Sequence, residues 1–75
     1  MDKITQAQAQ AKVKAANLRV LAAGQRVYAA AHRRQATHPI YTGQSEICMG
    51  KADQIDVYAA RSEAQAELIE AEAGL

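Results

Sequence analysis

Apolar residues recur along the first half of the chain at the spacing of one helix face. Val13, Asn17, Val20, Leu21, Gly24, Val27, Tyr28 and Ala31 fall at i, i+4, i+7, i+8, i+11, i+14, i+15 and i+18, the spacing that gathers side chains on one side of an α-helix. A second, alanine-rich strip of Ile4, Ala7, Ala11, Leu18, Ala22 and Ala29 lies on a different side of the same helix. In the second half, Cys48, Ala52, Ile55, Ala59, Ser62, Ala66, Ile69 and Ala73 alternate steps of four and three without a break. That is a heptad seam, and its small side chains let two helix axes come close.

Pro39 divides the two halves, because the residue before a proline is pushed away from helical geometry. The pattern predicts a helix over about 3–36, a connector over about 37–45 with Thr42 or Ser45 as the next N-cap, and a helix over about 46–73. The simplest fold is all-α: a single-domain antiparallel two-helix hairpin. Its interior is expected to pair the Val13 to Ala31 face with the second helix's seam. One partner helix cannot cover both strips of the first helix, so the strip with Ile4 and Leu18 predicts a homodimer in a four-helix arrangement.

Composition strengthens that expectation. Of 75 residues, 49% are apolar, but 18 are alanine; Val, Ile and Leu number 13, and there is no Phe or Trp. A chain this short buries only about 60% of its unfolded surface, so a thin core gains much from a second copy. No apolar run approaches the roughly 18 residues of a membrane span. The stretch Thr5-Gln6-Ala7-Gln8-Ala9-Gln10 has no leucine-rich signal segment. A single cysteine, Cys48, suits a reducing compartment. The expected location is the cytoplasm, with no membrane partner.

Charge is segregated although it nearly cancels. Residues 1–44 carry seven Lys and Arg against Asp2, a net +6, and residues 45–75 carry seven carboxylates against Lys51 and Arg61, a net −5. The halves should attract and set each other's orientation. Lys12, Arg19, Arg26 and Arg33 recur every seven residues and form a row away from the Val13 to Ala31 face. The row suits an acidic protein surface or a phosphate backbone, or is a solvated face. A pI near 7.9 and the lack of interleaved aromatics make nucleic acid the weaker partner. The acidic row Asp53, Asp56, Glu63, Glu67 and Glu70 would imitate DNA phosphates or pair with the first helix.

No catalytic or cofactor motif stands out. His32, His38 and Cys48 match no zinc-ligand spacing, a Cys48/His38 pair lacks an orienting group, and the glycines are isolated rather than forming a phosphate loop. The expectation is a non-enzyme with no cofactor and no metal. In the connector, Ile40 and Tyr41 stand where polar turn residues would suffice, and Tyr41 is a candidate anchor for a partner's pocket or a cap on the core.

The hairpin layout, the short alanine- and glutamine-rich chain, the Arg19/Arg26/Arg33 row and Tyr41 at the bend resemble small phage-encoded helical-hairpin inhibitors, particularly quorum-sensing anti-activators. The resemblance extends over the whole chain through layout rather than motif. It implies a dimeric protein-binding inhibitor or adaptor that occludes a host transcription regulator and blocks its DNA contact. Arg19, Arg26, Arg33 and Tyr41 are the candidate partner-binding residues. An anti-CRISPR-type inhibitor, an RNA- or DNA-binding hairpin dimer and a structural oligomerisation module remain open.

Overall fold

The computed structural model describes residues 4–38 and 43–75. Within them are two helices, α1 (Gln6–Ala36) and α2 (Ser45–Glu72). Alanine, glutamine, lysine and arginine make α1 a strong helix former, and its start is fixed by chemistry that the spacing did not reveal. The Thr5 hydroxyl accepts the Gln8 N–H at 3.1 Å while the Thr5 N–H donates to Gln8 Oε1 at 3.1 Å. This capping box satisfies two donors that a helix N-terminus otherwise leaves open.

The far end of α1 is tied to the start of α2 by Ser45. Its hydroxyl donates to the Ala36 carbonyl oxygen at 2.7 Å, so Ser45 is the first residue of α2 rather than its N-cap. Gln44 occupies the cap position without a side-chain bond, and Thr42 lies outside the described residues. At the other end the Leu75 N–H donates to Glu70 O and the Gly74 N–H to Ala71 O, at 2.9 and 3.1 Å. Gly74 adopts φ +77°, the left-handed position that this helix ending requires and that glycine adopts without strain. Gln8 reaches across, its Nε2 donating to Ala73 O at 3.0 Å. The start of α1 therefore meets the end of α2, and the helices run antiparallel.

The seam of α2 is the predicted one: Cys48, Ala52, Ala59 and Ala66 are buried, with Ile55, Ser62, Ile69 and Ala73 half-buried beside them. The face that α1 turns to it is not. Ala11, Ala15, Ala22, Ala29 and Ala36 are buried and Leu18 is half-buried, whereas Val13, Val20, Leu21, Val27 and Tyr28 are all exposed, Val20 by 72%. The two strips of α1 thus exchange the roles expected of them. Alanine meets alanine because two small-residue seams interlock closely along their full length. Branched and aromatic side chains on α1 would hold the axes apart and leave gaps between them.

Among the described residues the buried core consists of eight alanines and Cys48, and no large side chain is fully buried. Overpacking is consequently the sensitive perturbation. Ala59→Leu, at a site with no exposed area, is expected to lower unfolding free energy by about 1–3 kcal/mol, while Val57→Leu on the outer side of α2 changes it little. Urea unfolding followed by circular dichroism measures both, and equal effects would contradict the alanine seam. Thr5→Ala should cost about 1 kcal/mol through loss of the cap.

Candidate functional site

Beside the alanine seam, on one flank, runs an ionic ladder. Arg19 pairs with Glu70, Arg26 with Glu63, and Arg33 with Asp56. Each step of seven residues up α1 meets a step of seven down α2, so the ladder has the same period as the seam and locks its register. Arg26 Nε donates to Glu63 Oε1 at 2.8 Å, and its Nη1 lies 3.9 Å from Asp56 Oδ1. Arg33 Nη2 also reaches Asp53 Oδ1 at 3.1 Å. Asp56 thereby links two rungs into a network.

This placement corrects the expectation of an outward-facing arginine row. Once the alanine strip, and not the Val13 to Ala31 face, turns inward, the row borders the interface, and attraction between the basic and acidic helices draws Arg19, Arg26 and Arg33 across it. The guanidinium groups remain partly exposed, so they form the polar edge of any contact on that flank. Tyr41 lies outside the described residues. Hydrogen bonding to Arg19 holds the Glu70 carboxyl below its ordinary value, with the guanidinium charges of Arg19 and the ammonium of Lys12 adding to the effect. The same hydrogen bond raises Arg19, and those that Arg33 donates to Asp56 and Asp53 raise Arg33.

Among the described residues the opposite flank carries no such ladder. Here Val20, Leu21, Gly24, Gln25 and Tyr28 of α1 and Ile55 and Tyr58 of α2 line an open groove of about 400 Å³. The Tyr58 hydroxyl accepts from Gln54 Nε2 at 3.1 Å, and the Arg61 guanidinium lies 5.8 Å from the Tyr58 ring centre. Tyr28 meets His32 edge to face at 4.8 Å. Gln25 Oε1 and His32 Nδ1 are buried without a hydrogen-bond partner. The groove opens onto the exposed face of α1, which continues towards its N-terminus through a second shallow apolar depression at Ala9, Gln10 and Val13. This surface stands unpartnered among the described residues, as do Ile47, Val57 and Leu68 on α2, whereas the arginine row is paired.

Cys48 is a free, buried thiol, while His32 stands beside Tyr28 and His38 is exposed past the end of α1. Among the described residues no three His, Cys, Asp or Glu side chains gather as a metal-ligand cluster, and no helix is long and apolar enough to cross a membrane. Comparisons with protein-family models, curated proteins and solved structures find no match.

The ladder has a pH signature. A carboxyl whose folded value lies below its unfolded one stabilises the fold above the unfolded value, and that contribution is lost as pH falls through the folded value. The Tm of wild type should therefore exceed that of Glu70→Gln at pH 7, and the gap should close on acidification below the ordinary glutamate range. A gap independent of pH would rule out the Arg19–Glu70 pair as its source. In Arg26→Glu, like charges face one another, and adding Glu63→Arg should recover the Tm.

Proposed function

We propose that this chain is a non-enzymatic protein-binding inhibitor or adaptor that works as a homodimer and occludes a host regulatory protein. The observation that carries the dimeric part of this reading is the exposed apolar face of α1; the host protein would meet the partly exposed arginine edge and the bend of the hairpin. Val13, Val20, Leu21, Val27 and Tyr28 stand in solvent on a helix whose other apolar strip is already satisfied by α2. A contiguous row of large apolar side chains on a soluble surface marks an interaction site, whereas scattered ones do not.

The ionic ladder supports a protein partner over nucleic acid. Arg19, Arg26 and Arg33 are neutralised within the hairpin, so gripping phosphates would require breaking the contacts that set its register. In this reading the arginines form a polar rim, and Tyr41 is a second anchor on the strength of the sequence alone. The phage anti-activator class implied by the hairpin layout fits a small protein of this kind, and blockade of a transcription regulator's DNA contact is its mode of action.

Sedimentation equilibrium at tens of micromolar should give twice the 8.1 kDa chain mass. A regulator recovered from bacterial lysate and purified should then bind the dimer, with calorimetric affinity that changes little between low and moderate salt. A monomer that binds no protein would overturn the proposal. Binding to duplex DNA or RNA that weakens steeply with salt would replace it with the nucleic-acid reading.

A further inference from the structure

We infer that the outer face of α1 is occupied by α1 of a second copy, crossing about a twofold axis at Gly24; this rests on the dimeric reading above and assigns its contact site. Gly24 is the first indication. A glycine inside a helix costs about 1 kcal/mol relative to alanine, and nothing within the hairpin requires one here, since an added Cβ would meet no atom within 4 Å. The residue lines the apolar groove together with Val20, Leu21 and Tyr28. A missing side chain at that point lets another backbone approach closely.

The second indication is symmetry. The spacing on the outer side of α1 is the same in both directions from Gly24: Leu21 and Val27 stand three residues away, Val20 and Tyr28 four, Asn17 and Ala31 seven. A twofold contact must present one patch to itself, residue i meeting j and j meeting i. With the axis at Gly24, Leu21 meets the partner subunit's Val27, and Val20 meets the partner subunit's Tyr28. Every large apolar residue near the crossing thus finds an apolar counterpart.

The third is area. The chain exposes 5606 Å², against about 4,500 Å² for a compact monomer of its mass. Its radius of gyration is 17.2 Å, against about 11 Å for a compact domain of this length. The excess of about 1,100 Å² exceeds the roughly 800 Å² per partner of a standard interface. The ladder lies on the other flank, so this contact buries none of its charges. Two hairpins crossing here form the four-helix arrangement with α1 inside and α2 outside.

Cross-linking tests the site. In a Cys48→Ala background, Gly24→Cys should form a disulfide-linked dimer under oxidised glutathione at least tenfold faster than Val57→Cys on the outer side of α2. Leu21→Glu should raise the dimer dissociation constant at least tenfold with helicity retained, whereas Leu68→Glu should leave it within twofold. A dimer by sedimentation that shows neither effect would place the interface elsewhere and overturn this inference alone. A monomeric wild-type protein would overturn the dimeric reading as well, and saturation of the Leu21 face by a different protein's helix would assign it to that partner.

Discussion

Two helices pack along their full length at close range only where both offer small side chains, and that constraint organises this protein. Once Ala15, Ala22, Ala29 and Ala36 face Ala52, Ala59 and Ala66, the volume between the helices is filled and no branched residue fits there. Every large apolar side chain must stand at the edge of the seam or outside it. Close approach also brings the flanking groups within reach, which is why arginines on α1 span the gap to carboxylates on α2. An alanine seam buries little apolar area per residue, so its contribution to stability is small. What it does supply is a well-defined spacing.

Spacing alone does not set register, because a run of alanines every seven residues can slide by a heptad with little change in packing. The ladder resolves that ambiguity. Sliding by one heptad would leave a terminal arginine without its carboxylate and withdraw Asp56 from its place between Arg26 and Arg33. Exposed pairs contribute little individually to stability, but a difference between registers needs only modest energies multiplied over three rungs. The terminal bonds, from Gln8 to Ala73 and from Ser45 to Ala36, agree with the same alignment.

Much of this was legible in the sequence, with one instructive inversion. The end of α1 near residue 36, two helices, the α2 seam and the attraction between a basic and an acidic half all follow from spacing and charge. The α1 face was misassigned because hydrophobicity ranks Val20, Leu21 and Tyr28 above alanine, and the most apolar strip then reads as the core. What decides the matter is complementarity: an α2 seam made of alanine calls for alanine opposite it, and Ala15, Ala22, Ala29 and Ala36 recur with the period of Ala52, Ala59, Ala66 and Ala73. Matching seam to seam, and Arg19, Arg26 and Arg33 to Glu70, Glu63 and Asp56, would have found both the interface and the fate of the arginine row. The groove between Tyr28 and Tyr58 depends on the rotation of each helix about its axis, which periodicity gives only approximately.

The hairpin separates its two kinds of recognition by face. Charge on one flank specifies the internal pairing of α1 with α2, and it is consumed there. Among the described residues the outer face of α1 has no ladder, so whatever binds it is selected by shape: a gap at Gly24, branched side chains beside it, and a tyrosine edge-on to His32. The oxygen of Gln25 at the groove's edge is buried inside the hairpin without a partner, so an occupant of the groove does not reach it and its cost stays with the fold. Selection on this face therefore rests on contour and apolar area, because charge is already committed to the internal pairing of the two helices.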